Sequence, residues 1–365
     1  MPPFVRDEYV YKEYLPTFPK IDYEPHVELK IDDRGHHADP EMKALLGAAT
    51  RVDDLGACIG TQLDGIDLRK LTEKQKDELA LLAAKRGVVV FKNQDASIYD
   101  LLDIAAYYGP LHIHSTTGVP TDPKLAGVHV VWSDGTKDFD RIDMDRPRSW
   151  HTDQPYEINP PGLTSLKVIT DPPTGGDTIW SSSAAVFASF SPQFQAYLET
   201  LYALQSSEHQ KIRALQAGTY IRRPQTDFVH PVVRVHPVTG MKALYINPSY
   251  TARIVGIPKA ESDFVTKFIY SQIMECEDFK VRIRWSKDQV VFWDNRVLWH
   301  TATYDYYPYK RHALRATPVA ERPESVSEYE KRTGEKAKNW YEEKMKALGE
   351  DISIPKAVFK PAGAD

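Results

Sequence analysis

The chain has 365 residues, 42% of them hydrophobic, and a formal net charge of −5. That length suits one large domain with appendages or two domains, with apolar material enough for a sizeable core; the acidic balance argues against nucleic-acid binding, which needs a basic stripe. No apolar stretch approaches the roughly 18 residues of a membrane span, the first residues lack the apolar core of a signal peptide, and Cys58 and Cys276 are too few for a disulfide framework, so a cytoplasmic chain with reduced thiols and no membrane partner is expected.

Residues 1–45 are rich in Tyr, Pro, Asp and Lys with little periodicity, and read as an arm draped over a core. His36 and His37 sit in a polar stretch there and read as a solvated loop. Thr72-Glu73-Lys74-Gln75 spells a capping box, which starts a helix that Gly87 ends. Val88–Phe91 follows as a buried strand, and Ser97 opens a second helix that ends at Gly109. From Leu111 the chain turns to short strands: Val128–Trp132, Trp150–Gln154, Leu166–Ile169, Thr178–Ser181, Val232–Val235 and Ala243–Ile246. Val238-Thr239-Gly240-Met241 is the hairpin turn between the last two. Phe279–Trp285 alternates, with Val281, Ile283 and Trp285 on one face, and Val290–Trp293 and Arg311–Thr317 complete the set. Helices are expected at Ser191–Leu204 and Lys259–Glu275, the second with Phe264, Phe268 and Ile269 turned to the core. A charged tail, residues 321–365, carries an amphipathic helix over Ser325–Gly349. Many short strands in one domain, here residues 46–320, imply a sandwich or barrel. The expected fold is mainly β with flanking helices around a jelly roll, a double-stranded β-helix.

The motif that carries chemistry is His151-Thr152-Asp153 with a distant His300. On a strand, side chains at i and i+2 point the same way, so His151 and Asp153 can reach one metal while Thr152 faces away. Two histidines and one carboxylate hold a non-haem Fe(II) on one face and leave the opposite positions open. Arg311, eleven residues after His300, can anchor the far end of an organic acid on that metal. Arg315 lies four residues further on the same presumed strand face, roughly 13 Å away at about 3.3 Å per residue, so it can serve a different anion.

The context makes the resemblance specific. Trp150-His151-Thr152-Asp153, Pro160-Pro161-Gly162 and Thr174-Gly175-Gly176-Asp177-Thr178-Ile179-Trp180 resemble the taurine dioxygenase (TauD/TfdA) family of Fe(II)/2-oxoglutarate-dependent oxygenases. So do Leu111-His112-Ile113-His114, His230-Pro231-Val232-Val233-Arg234, His236-Pro237-Val238-Thr239-Gly240, and Trp293-Asp294-Asn295-Arg296 through Arg315. The resemblance runs from about Gly56 to about Thr317. It implies His151, Asp153 and His300 as iron ligands and O2 as a reactant. It implies Thr178 and Arg311 as the clamp on the far carboxylate of 2-oxoglutarate, and Arg315 with His114 as contacts to a small anionic substrate. An arginine fork suits a carboxylate through two parallel charge-assisted bonds. Ser115, Thr117 and Gln154 depart from the taurine enzyme's pocket. The reaction class therefore carries over, with Gln154 facing the substrate, and taurine itself does not.

Other readings stay open at this level. A sulfonate or sulfate ester satisfies His114 with Arg315; an amino acid or another small carboxylate satisfies Arg315 equally well. Zinc also accepts two histidines and a carboxylate, so a zinc hydrolase is a competing class, although it has no use for an organic-acid clamp. A catalytically dead binding module is a third, against which all three metal ligands and both arginines speak. His112 reads as supporting, His230, His236 and His312 as structural, and Trp180 and Trp293 as core aromatics. A homo-oligomer is compatible with the sequence.

Overall fold

Val88, Val89, Val90 and Phe91 are all buried because the strand they form has a core on each face. The structure, a computed structural model, describes residues 6–136, 149–224 and 226–349. Its strands in chain order are β1 (Arg51–Asp54), β2 (Thr61–Asp64), β3 (Val88–Phe91), β4 (Val128–Ser133), β5 (Leu163–Thr170), β6 (Thr178–Ser182), β7 (Tyr202–Ser206) and β8 (Asp227–Pro231). They continue with β9 (Val233–Val235), β10 (Lys242–Leu244), β11 (Thr251–Val255), β12 (Lys280–Ile283), β13 (Val290–Asp294), β14 (Leu298–Ala302), β15 (Arg311–Ala316) and β16 (Glu324–Ser325). A seven-stranded sheet runs β1-β2-β3-β13-β5-β15-β4, and a three-stranded sheet runs β12-β6-β14.

Alternation along β3 and β13 sorts their side chains to two cores. Val89, Phe91, Val290 and Phe292 join the helices Glu73–Arg86 and Ile98–Tyr108 on the outer face. Val88, Val90, Val291 and Trp293 meet Trp180, Val281 and Ile283 of the smaller sheet, with Trp285 just past the end of β12, on the inner face. Each such buried side chain contributes about 1.5–3 kcal/mol, so Phe292→Ala in the outer core would cost about 3–5 kcal/mol. The first covering helix begins with the reciprocal cap expected of Thr72 with Gln75, and the second, opened by Ser97 as expected, carries the same device with Asp100. The functional cleft lies between the two layers, where β6, β14 and β15 come together. Two further three-stranded sheets, β10-β9-β16 and β11-β7-β8, lie beyond it. The hairpin at Val238-Thr239-Gly240-Met241 joins β9 to β10 as expected.

Four expectations fail. Trp150–Gln154 is not a strand: only His151 pairs, in a single bridge with His300, and Gln154 is left-handed at φ 39°. The helix expected over Ser191–Leu204 stops at Glu199, because Tyr202–Ser206 is captured as β7 between β8 and β11. Phe264 is 72% exposed and Phe268 39%, whereas Ile269 is buried; only one edge of that helix faces the core. The tail forms two helices, Val326–Thr333 and Trp340–Ala347, broken by Gly334 at φ 75°. Residues 350–365 lie outside the described set.

Residues 6–40 run along the core with little regular structure. Tyr23 donates its backbone N–H to Arg222, and the Leu29 N–H reaches Asn159. His37 pairs with Asp32 at the surface. Both cysteines are free thiols. Among the described residues no helix is long and apolar enough to cross a membrane.

Candidate active site

His151 and His300 exchange both backbone hydrogen bonds, at 3.0 and 2.8 Å. That single bridge sets their rings side by side, with centroids 4.3 Å apart. Asp153 comes to the same point by a different device. Its N–H donates to Asn295 Oδ1 at 2.8 Å, and Asn295 Nδ2 donates back to its carbonyl at 3.0 Å. One asparagine therefore fixes the backbone of the carboxylate from 142 residues away. Sequence spacing anticipated that His151 and Asp153 converge, but the cause is a bridge followed by an asparagine-clamped bend, not a strand.

The donor atoms of His151, Asp153 and His300 all lie within 4.8 Å of one another. His151 Nδ1 is taken by the Ser149 carbonyl at 2.9 Å, which leaves Nε2 for the site. Both ring nitrogens of His300 and Oδ2 of Asp153 are buried without any partner. Burying polar atoms unpaired costs about 1–3 kcal/mol each, so this set fits a cation that would satisfy them. Burial holds the His300 imidazole well below its usual pKa, in the neutral state a metal needs. Burial alone would raise the Asp153 carboxyl, but Arg315 and then His300 keep it well below the carboxylate range.

Arg311 opens β15 and is buried, with Nε unpartnered and no ion pair to any described residue. A buried guanidinium without a counter-ion calls for an anion. Gly176, at φ 72°, makes room for it: a Cβ there would lie 3.1 Å from Arg311 Cδ. Thr178 Oγ1 accepts from Trp285 Nε1 at 2.9 Å, so its own proton is free to donate to a carboxylate. Arg311, Thr178 and Trp285 thus form one end of the cleft.

Arg315 belongs to the other end. Its Nη1 donates to Asp153 Oδ1 at 2.7 Å, and its guanidinium lies 5.1 Å above the Trp293 ring, which itself packs 5.4 Å from His300. Arg315, His114 and Gln154 line one small cleft, together with His129 and Thr317. His114 Nδ1 accepts the backbone N–H groups of Thr116 and Thr117 at 3.1 and 3.3 Å. Burial pushes its pKa down to about 3, so the ring is neutral and its proton sits on Nε2. Nε2 faces Gln210 at 3.0 Å, so the Gln210 amide must present its oxygen there and its nitrogen to Tyr156.

Sequence reasoning missed Asn295, Trp285, Tyr156, Gln210 and His129. The motif Asp294-Asn295-Arg296 was visible, but its role depends on a contact no spacing reveals. His112, read as supporting, pairs with Glu157 at 2.9 Å. His230 meets the Glu157 carbonyl, His236 meets Asp294, and His312 meets the Tyr14 carbonyl, all structural as expected. Trp180 is core, while Trp293 is core and also a floor under Arg315.

The sequence profile described as taurine catabolism dioxygenase TauD, TfdA family matches residues 51–317. A Saccharomyces cerevisiae protein described as an alpha-ketoglutarate-dependent sulfonate dioxygenase is 36% identical, over 87% of this chain and 80% of its own. A Penicillium expansum protein described as alpha-ketoglutarate-dependent dioxygenase cnsM is 39% identical, over 86% of this chain and 90% of its own. A crystal structure of a taurine dioxygenase from Burkholderia xenovorans superimposes with a TM-score of 0.65 at 28% identity, covering 76% of this chain and 92% of that one. Fold, site and relatives define the class: an Fe(II)/2-oxoglutarate-dependent dioxygenase on a jelly-roll scaffold, consuming O2. The chain belongs to the TauD, TfdA family.

Proposed function

We propose that His151, Asp153 and His300 hold the Fe(II), that Arg311 and Thr178 hold the far carboxylate of 2-oxoglutarate, and that Arg315, His114 and Gln154 bind the substrate. The substrate is a small aliphatic sulfonate or sulfate ester whose C–H bond is oxidised with release of succinate and CO2. Iron, 2-oxoglutarate and O2 together supply the oxidation. The chain's own groups position it: Arg311 fixes one end of the cosubstrate, and Arg315 sets the substrate anion beside the metal, with His114, its Nε2–H held by Gln210, as a wall of the same cleft. A sulfonate or sulfate offers three terminal oxygens to the Arg315 guanidinium, and the Saccharomyces cerevisiae relative is described as an alpha-ketoglutarate-dependent sulfonate dioxygenase.

The observation that carries the reading is the pair of arginines on β15, one buried without a counter-ion at the Thr178 end and the other bonded to Asp153 at the His114 end. The test is succinate release from 2-oxoglutarate across a panel of sulfonates, sulfate esters and amino acids, with product mass. Arg311→Ala should mainly raise the KM for 2-oxoglutarate, through a contact worth about 2–5 kcal/mol, or roughly 30-fold and upward. Arg315→Ala should weaken the primary substrate and leave 2-oxoglutarate consumption uncoupled. Interchanged or identical phenotypes overturn the assignment, and best turnover on a cation unaffected by Arg315→Ala overturns the substrate class.

A further inference from the structure

The loop that carries His114 has no strand or helix of its own to hold it. Residues 112–118 lie outside every regular element. Main-chain carbonyls away from water still need donors, and here they come from two consecutive arginines. Arg223 Nη1 donates to the Ile113 carbonyl at 2.7 Å. Arg222 Nη2 donates to the His114 carbonyl at 2.9 Å and to the Thr117 carbonyl, and the Arg222 N–H donates to the Ser115 carbonyl at 2.8 Å. Arg222 thus takes three carbonyls of one loop. Its side chain is 2% exposed, its Nη1 is buried without a partner, and it makes no ion pair to any described residue. A buried charge without a counter-ion is costlier than an apolar side chain of similar volume, so packing alone does not account for it. Arg311 shares that lack, but the Arg222 fork is spent on the main chain, and Arg222 does not line the cleft.

The two arginines are braced in turn by the N-terminal stretch. The Tyr23 N–H donates to the Arg222 carbonyl at 2.7 Å, Arg223 Nε donates to the Glu24 carbonyl at 3.1 Å, and the Tyr220 hydroxyl donates to Asp22 at 2.6 Å. Thr17 pairs with Val119 at the far end of the loop. Beside that pair, Gly118 leaves room for the crossing chain: a Cβ there would lie 2.3 Å from Pro16 Cβ.

We infer that Arg222 is a positioning residue for the proposed reaction: it sets the main chain of the His114 loop, and with it one wall of the substrate cleft, while residues 16–24 brace it from outside. The inference rests on the anion site of the proposed function, whose wall this loop is. Arg222 bonds to none of His151, Asp153, His300 and Arg311, so its loss acts on the substrate and not on the metal or on 2-oxoglutarate. A wall displaced by about 1 Å can cost on the order of 100-fold in rate, because the reacting C–H is then held at the wrong place.

The experiment is the full chain with Arg222→Met, which keeps a long stem and loses the fork, assayed with whichever of propanesulfonate and hexyl sulfate wild type turns over faster. The kcat/KM for that compound should fall by about tenfold or more, and more 2-oxoglutarate should be consumed per product formed. The KM for 2-oxoglutarate and the Fe(II) content should stay as in wild type. Hydrogen exchange should quicken over residues 112–119 and not over residues 298–302. Gly118→Ala leaves Arg222 in place but forces the loop and the Pro16 chain apart, so it should give the same split; it decides the matter if Arg222→Met does not fold. Native kcat/KM in the variant overturns the inference, and so does an equal loss of Fe(II) or of 2-oxoglutarate affinity, which would make Arg222 a general support of the fold. If wild type turns over neither compound, the substrate class of the proposed function falls instead. The exchange pattern then decides: faster exchange confined to residues 112–119 supports the positioning role, and an unchanged or uniform pattern overturns it.

Discussion

Two clusters of two histidines and a carboxylate lie in this protein among the described residues, and they are built in opposite ways. In the first, His151, Asp153 and His300, both nitrogens of His300 and one oxygen of Asp153 have no partner. In the second, the members satisfy one another: His112 donates to Glu157 at 2.9 Å, and His26 lies 3.0 Å from the other Glu157 oxygen. Arg223 closes that group by lying 3.0 Å from His26 Nε2, where it would repel a cation. Residue types alone make the two equivalent. What separates them is whether lone pairs are left over: a hydrogen-bonded set is a rivet, and an orphaned set is a socket. The rivet ties the N-terminal stretch, through His26, to the segment that carries Asp153.

The largest effects should come from testing the socket against the rivet. Wild type should bind a single Fe(II) per chain by equilibrium dialysis with metal analysis. His300→Ala and Asp153→Ala should each lose that binding and all 2-oxoglutarate turnover, whereas His112→Ala should retain the metal. A second tightly held ion that disappears in His112→Ala would show the clusters to be alike. Glu157→Ala leaves buried His112 without its partner, and removing one member of a buried pair costs about 3–5 kcal/mol. Denaturant titration should show that loss with metal content unchanged.

A smaller effect probes how the socket is held open. Asn295→Ala removes the clamp on the Asp153 backbone and leaves its N–H and carbonyl buried, at about 1–3 kcal/mol of stability. Loss of support behind a ligand typically weakens metal affinity about 10–100-fold. An Asn295→Ala protein that unfolds earlier but binds Fe(II) with native affinity would place the clamp outside the metal site's support.

The same contrast marks how far the sequence could be read. Val88–Phe91, the helix caps at Thr72 and Ser97 and the turn at Gly240 were legible because their signals are local: an apolar run, a hydroxyl three residues before its partner, a residue that accepts positive φ. His151 and Asp153 were legible as a pair, though for the wrong reason, since two different backbone devices produce the convergence that a strand would have given. Asn295, Trp285 and Gln210 were not legible because each acts on a residue about 100 or more positions away, at a distance that only tertiary packing sets. The break at Glu199 was hidden by the demand of β8 and β11 for a partner, which overrides helix propensity. Phe264 was misplaced because helical spacing gives a face and not its orientation to solvent.

Acid should take the rivet apart over a lower window than the one in which His230 and His312 titrate. Burial alone would raise the Glu157 carboxyl, but His112 and then His26 hold it down at about 2, against an ordinary 4.5. The unfolded chain therefore binds a proton there before the folded one, and the stability this group contributes is present above pH 4.5 and lost as pH falls toward 2. His230 and His312 are pushed down by burial to about 4 from 6.5. Their contribution is complete above pH 6.5 and is lost as pH falls toward 4, by up to about 1.4 kcal/mol per pH unit for each. Wild type should thus lose stability in two limbs on acidification, a histidine limb first and a Glu157 limb below pH 4.5. Glu157→Gln keeps the shape without the titrating group, so it should start less stable, keep the upper limb and show a shallower lower one, the remainder of which comes from Asp33, Asp153, Asp294 and His114. Thermal unfolding of both proteins from pH 7.5 to 3.5 reads the difference. Parallel curves throughout would mean that Glu157 is not ionised in the folded protein, and the rivet would then be a neutral hydrogen-bonded group and not a charged one.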